Sequence, residues 1–394
     1  MMTFRPLFLL FLLPFLAACS LAPVSKEAAP NAKRMTLLMA AHRHGALEPC
    51  GCSIAPLGGV EREWNALQKV KAAIPWPGTL FPLSAGTTFV SEPKTFRASR
   101  KEYNLKRAAF LVEALNLFET TLVPPAADDL ALGLEGIRKL ESLAKFPFVS
   151  TNLFEKRSGK PLFKRYLEMT VAEMDVLFLG VSSPSQEIYG VNPEIEVKDP
   201  EEAIHAVLNT LPKRPRFIVL LSSLPHQDRK KIHMALPEIQ LVLGASAEEA
   251  DSEINQPENS FAYFAPLDRG RSLAKFAIEA RGEIKALTNK KVFNAMNSRR
   301  LGWQDDIAKT EAQLKDKKIT KTERQRLKLY SKYTTEELTK SASYPTAPLP
   351  GAVPYDFEQV SINTNYDEPQ NKLSDLVRRY KEAIRGLAMN EGEE

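Results

Sequence analysis

The chain is poor in cysteine, in long apolar runs and in charge of a single sign. Three cysteines occur in 394 residues, at positions 19, 50 and 52. The one long apolar run, Leu7–Leu16, is broken by Pro14 and is too short to span a bilayer. That excludes it as a transmembrane anchor. The net charge is +5, and basic and acidic residues are interspersed, so no footprint for nucleic acid is present. No internal repeat is visible, which excludes a solenoid or propeller array.

What is present begins with an address. Arg5 precedes the apolar run, and the run ends in Leu16-Ala17-Ala18-Cys19. Residues 1–18 read as a secretory signal, and the four residues match a bacterial lipobox. Cys19 is then the expected lipidation site. More than one acyl chain on that residue makes a firm membrane anchor where a single chain is marginal. Ser20 follows rather than aspartate, so resemblance to sorted lipoproteins implies the periplasmic face of a Gram-negative outer membrane. Residues 19–34 are rich in Ala, Pro, Ser and Lys and read as a flexible tether.

From Met35 to about Ala286, short apolar runs alternate with helical periods. Strands are expected at Thr36–Ala40, Thr79–Leu83, Thr120–Val123, Phe148–Ser150, Tyr166–Met169, Val176–Val181, Phe217–Leu221, Ile239–Leu243, Phe261–Phe264 and Ser272–Ile278. Helices are expected from Val60, over Tyr103–Phe118, Leu134–Leu143 and Pro200–Leu211. The alternation predicts a layered α/β domain, residues 35–288, with helices covering both sheet faces. Ligand sites in such folds lie beyond the carboxyl ends of strands. His42, Gly86, Asn152, Ser223 and Ala245 fall at those ends.

Residues 289–342 are rich in Lys, Glu, Gln and Arg. Thr320 and Glu323 form a capping box that starts the second helix of a hairpin, with its turn near Asp316–Ile319. Val292, Met296, Trp303 and Leu314 either brace this arm on the domain or leave it to bind a protein partner. Residues 343–356 carry four prolines and read as an extended linker. Residues 357–394 are expected to give a strand, Phe357–Ile362, and a helix whose stripe from Leu373 to Leu387 docks back on the domain.

The most informative stretch is Thr36–Gly59, TLLMAAHRHGALEPCGCSIAPLGG. It resembles the first metal-binding strand and loop of the calcineurin-like metallophosphoesterases, in the 5′-nucleotidase-like branch that carries an LEPCGC motif. The resemblance covers roughly Met35 to Ala286. It implies a metallophosphoesterase-like layered β-sandwich flanked by helices, followed by a C-terminal helical arm. It also implies a site for two cations about 4 Å apart that clamp a phosphoryl group. The carboxyl-terminal substrate-binding domain of true 5′-nucleotidases has no counterpart here.

The motif frames persist while the implied ligands change. The first, Asp-x-His-Gly, reads His42-Arg43-His44-Gly45. The second, Asp-Ala-Gly-Asp, reads Ser84-Ala85-Gly86-Thr87, and a threonine hydroxyl is a poor bridge between two metals. The third, Gly-Asn-His-Asp/Glu, reads Ala126-Ala127-Asp128-Asp129, so Ala127 replaces an amide ligand and Asp128 a histidine acid. Asn152 is retained at a strand end, either as a substrate contact or as a polar cap. The fourth and fifth motifs place Ser223, Ala245 and Ala247 where ligand histidines belong, with His226 displaced by three residues. Of the implied ligands only His44 is unchanged.

These losses predict a protein without a dinuclear centre and with no required cofactor, acting by binding or scaffolding. The alternative is a divergent phosphoric ester hydrolase with altered metal. A further rival gathers His42, His44, Cys50 and Cys52 around a single zinc or other soft divalent ion. The same cysteines can instead serve a structural or redox role, since a Cys-x-Cys disulfide is a tight, readily reduced ring. The cleft can also bind an anion through backbone amides and Arg43.

Overall fold

The computed structural model describes residues 33–52, 54–75, 78–90, 100–171, 174–183, 193–244, 251–253, 262–280, 283–343 and 352–390. Two sheets face each other. The first contains β1 (Lys33–Ala41), β2 (Gly78–Ala85), β11 (Ser272–Ala280), β12 (Ala286–Asn289) and β13 (Ala352–Ser361), in the order β12-β13-β11-β1-β2. The second contains β4 (Tyr166–Val171), β5 (Met174–Val181), β7 (Phe217–Ser222), β8 (Leu241–Gly244), β9 (Asp251–Glu253) and β10 (Ala262–Ala265), in the order β4-β5-β7-β8-β10-β9. A short pair, β3 (Leu153–Glu155) and β6 (Ile195–Val197), stands apart.

The period-two alternation of strand side chains builds the layers. On β1, Met35, Leu37 and Met39 point between the sheets, where they meet Val176 and Phe178 of β5 and Phe217 and Val219 of β7. The opposite face of β1 sends Leu38 and Ala40 under α1 (Val60–Ala72), α2 (Lys101–Leu117) and α3 (Gly133–Leu143). On the second sheet, Leu177, Leu179, Ile218 and Leu220 meet α4 (Pro200–Thr210) and α5 (His226–Ala235). The result is a four-layer sandwich, helix–sheet–sheet–helix, with apolar surface buried in three contiguous clusters. Local chemistry agrees: Asp199 caps α4 through the Glu202 N–H, and Pro200 occupies its first turn.

Three sequence expectations change. Thr120–Val123 and Phe148–Ser150 form single bridges rather than strands, Leu83 to Leu122 and Val123 to Phe148. Pro124, Pro125 and Pro147 flank those bridges and lack the N–H donors a longer ladder needs. The expected linker 343–356 is partly sheet: β13 starts at Ala352 and lies between β12 and β11. Its Tyr355 is almost wholly buried between the sheets, and Pro354 sits in register with Thr288. The carboxyl-terminal strand is therefore an interior strand of the first sheet and not an appendage, so residues 35–288 do not complete the sandwich alone.

The arm is a helical hairpin of α6 (Lys290–Lys315) and α7 (Lys321–Lys340). Thr320 caps α7 through the Glu323 N–H, and Arg324 closes the end of α6 on the Leu314 and Asp316 carbonyls. α6 packs on α7 and also meets β12 and β13. Met296, Trp303 and Leu314 are half-buried, while Leu301, Leu329, Tyr330 and Tyr333 are exposed. The Val292 side chain lies outside the description. α8 (Ser374–Asn390) docks on α2, burying Leu373 before it and Leu376, Val377 and Tyr380 along it.

Candidate functional site

Parallel β1 and β2 end side by side, Ala41 opposite Ala85. Beyond them the two loops bond to each other. The N–H groups of His42, His44 and Gly45 donate to the carbonyls of Ala85, Thr87 and Thr88. This pairing turns the chain into the left-handed region at His42 (φ 39°) and His44 (φ 51°). The two rings stack 5.4 Å apart at 10° on this left-handed backbone. Gly45 has φ 66°, and a Cβ there would lie 2.6 Å from the Arg107 guanidinium, which donates to the His44 carbonyl at 3.0 Å.

The polar atoms on this floor bond one another. Thr87 donates its N–H to His42 Nδ1 at 3.1 Å and its hydroxyl to Asp128 at 3.0 Å. That second bond joins two motif positions 41 residues apart. Asp129 is fully buried and accepts the N–H groups of Thr88, Phe89 and Ala126. Burial pushes its carboxyl up to about 7, against the pull of those donors. Burial, then His42 and Arg269, hold the His44 imidazole down at about 4, while Asp268 opposes them. Among its ring atoms, His44 Nδ1 is buried with no hydrogen-bond partner.

Arg43 does not face the cleft. Its guanidinium forms a buried two-pronged pair with Glu63 of α1, 2.5 Å on each arm, and lies over the Phe118 ring. Both terminal nitrogens are engaged in that pair, so the expected role in anion binding is withdrawn. Asn152 is also fully buried. It bonds both Ser182 and Lys198, stapling β5 to β6 as a polar cap rather than reaching for a ligand. Ser223 sits at the end of β7, its hydroxyl 3.4 Å from the Val181 carbonyl. Ala127 opens the short turn Ala127–Leu132, and His226 opens α5. Ala245, Ala247 and Cys19 lie outside the described residues.

The matches to known proteins are partial. No family model matches the chain. Protein UshA of Salmonella pullorum is 31% identical over 98 residues, which cover 23% of this chain and 18% of UshA. A 5′-nucleotidase of Vibrio cholerae is 30% identical over 112 residues, 25% of this chain and 20% of that protein. The matched region thus spans about a fifth of each curated relative. Among solved structures, the 5′-nucleotidase precursor of Thermus thermophilus superposes with a TM-score of 0.50 at 20% identity, over 62% of this chain and 51% of that one. The chain has the metallophosphoesterase fold. Its matches lie in the 5′-nucleotidase-like branch.

A dinuclear metallophosphoesterase centre does not fit the side chains present. Two divalent cations need several carboxylate, amide and imidazole donors aimed at one point. Here the Nδ1 lone pair of His42 takes the Thr87 N–H, Asp128 takes the Thr87 hydroxyl, and the Asn152 amide is bonded on both atoms. Among the described residues, no group of three or more His, Cys, Asp or Glu converges as a metal-holding set. The four-ligand set of His42, His44, Cys50 and Cys52 is accordingly not assembled. Sequence reasoning missed Glu63 and Arg107, which no local signal marks. It also left aside Asp129, the last residue of the third motif and the one that holds the floor together.

Proposed function

We propose that this protein is a lipid-anchored binding or scaffolding protein on a metallophosphoesterase fold whose metal centre has been replaced by hydrogen bonds. One observation carries the reading. Thr87, standing where the family's bridging aspartate belongs, turns both its N–H and its hydroxyl onto neighbouring site positions, His42 and Asp128. Atoms that would face a cation face each other instead, and neither Thr87 nor Ala127 brings negative charge.

The test is metal analysis of the purified protein with an aryl phosphate assay after incubation with manganese or zinc. The expected result is no stoichiometric metal and no hydrolysis above background. Two equivalents of metal with hydrolysis would overturn the proposal in favour of a divergent phosphoesterase.

The lipobox at Cys19 supports anchoring at the periplasmic face of the outer membrane. Cys19→Ser is expected to move the protein from the membrane to the soluble fraction. The exposed Leu301, Leu329 and Tyr333 of the hairpin support a protein partner. Replacing all three by serine is expected to abolish chemical cross-linking to that partner while leaving the sandwich folded. Unchanged cross-linking would remove the arm from the reading.

A further inference from the structure

The loop that follows the cleft floor is built differently from the floor itself. Its base is closed on both sides: the Cys50 N–H donates to the Leu57 carbonyl at 2.8 Å, and the Leu57 N–H donates to Cys50 Sγ at 3.1 Å. Sulfur here takes the place a backbone carbonyl would hold in a ladder. The base is pinned to the carboxyl-terminal strand, since the Gly58 N–H donates to Ile362, and Arg62 ties Pro56 to Asp367. The tip is open. Both thiols are free, Cys50 half-buried and Cys52 exposed, and a Cβ on the intervening Gly51 would meet nothing within 4 Å. Ile54, two residues after Cys52 in the chain, is 97% exposed.

The two sulfurs are unequal. Hydrogen bonds from the Leu57 N–H, the Cys52 N–H and the Cys52 thiol favour the Cys50 thiolate, and Arg271 adds a nearby positive charge. The Cys52 thiol is raised, chiefly because it is the donor to Cys50. An activated sulfur with a second, exposed thiol two residues on is the arrangement that dithiol exchange requires.

We propose that Cys50 and Cys52 form a thiol–disulfide exchange site that oxidises itself at the expense of a disulfide in another polypeptide. The Cys50 thiolate attacks one sulfur of the partner's disulfide. A Cys50–partner bond forms, the partner's S–S bond breaks, and the released thiolate takes the proton that Cys50 gave up. Cys52, deprotonated, then attacks the Cys50 sulfur. The mixed disulfide breaks, the Cys50–Cys52 bond forms, and the partner leaves with its second thiol. One disulfide is reduced to two thiols and one pair of thiols is oxidised. The reverse reaction would transfer a disulfide to a reduced partner. Ile54 offers the partner polypeptide an apolar contact on the same loop.

The test uses the full-length chain carrying Cys19→Ser, so that Cys50 and Cys52 are the only thiols. It is reacted with glutathione disulfide and, separately, with a disulfide-linked peptide bearing apolar residues, and followed by mass spectrometry. The chain with both thiols is expected to end as an intramolecular disulfide. Adding Cys52→Ser is expected to trap the mixed disulfide on Cys50. Adding Cys50→Ser is expected to slow adduct formation about tenfold. Ile54→Ser is expected to slow the peptide reaction and leave the glutathione reaction unchanged. Equal rates for the two cysteine variants, or a mixed disulfide that never closes onto Cys52, would overturn the exchange site. Equal effects of Ile54→Ser on both reagents would overturn the polypeptide as its substrate.

Discussion

The cleft floor and the thiol loop are neighbours in the chain and opposites in their chemistry. On the floor, Thr87 and Asp129 bond other groups of the fold, and Arg43 beside them is turned away into a buried pair with Glu63. On the loop, Cys50 and Cys52 remain free thiols at an open tip. The difference shows that a motif's frame and its reactive atoms answer to different constraints. Packing keeps the strand ends, the glycine and the turn.

That contrast is easiest to break where charge is buried. Arg43→Ala leaves Glu63 unpaired inside the fold, with an expected loss of about 3–5 kcal/mol in urea denaturation. The double change Arg43→Met with Glu63→Leu should recover most of it, because apolar side chains of similar volume need no partner. Asp129→Ala strips the acceptor from three buried N–H groups and should cost about 2–3 kcal/mol.

The pH dependence of stability sharpens the same contrast. His44 is held down at about 4 in the fold, so the unfolded chain binds its proton more readily below about 6.5, and this group weakens the fold as pH falls through that window. Asp129 is pushed up to about 7, so its contribution is full below the ordinary aspartate value and is lost as pH rises through 7. Between roughly pH 4 and 6.5 the two slopes oppose and nearly cancel. Asp129→Asn should uncover the His44 slope, giving denaturation midpoints that fall from pH 6.5 to pH 4.5. Midpoints that stay level in the variant would contradict this balance.

Smaller effects follow. Thr87→Val removes one part-buried hydroxyl bond to Asp128 and should cost about 1 kcal/mol. Cys52→Ser should change stability by no more than about 0.5 kcal/mol, since the loop tip contributes no core. A Cys52→Ser loss comparable to that of Asp129→Ala would erase the distinction between floor and loop.

Much of the sandwich was legible in the sequence. β5, β7 and β11 read as short apolar runs because both of their faces are buried, and α4 was expected over Pro200–Leu211. Residues 121–123 and 148–149 carried the same apolar signal but became single bridges, since prolines deny them further donors. The second half of β13 was expected as a strand from Phe357, while its first half was hidden because Pro354 reads as linker. At the site, the positions that lost ligands could be read from the motif frames, but the new bonds among them could not.

By itself the sequence determined the layered fold, the hairpin and the motif frame around His42 and His44, because periodicity, capping and turn chemistry act over a few residues. Tertiary structure alone decided that Arg43 pairs with Glu63, 20 residues away, and that Thr87 bonds Asp128, 41 residues away. Such partners meet only after the sheets and helices have packed. Burial then favours a partner for most polar groups, although His44 Nδ1 has none.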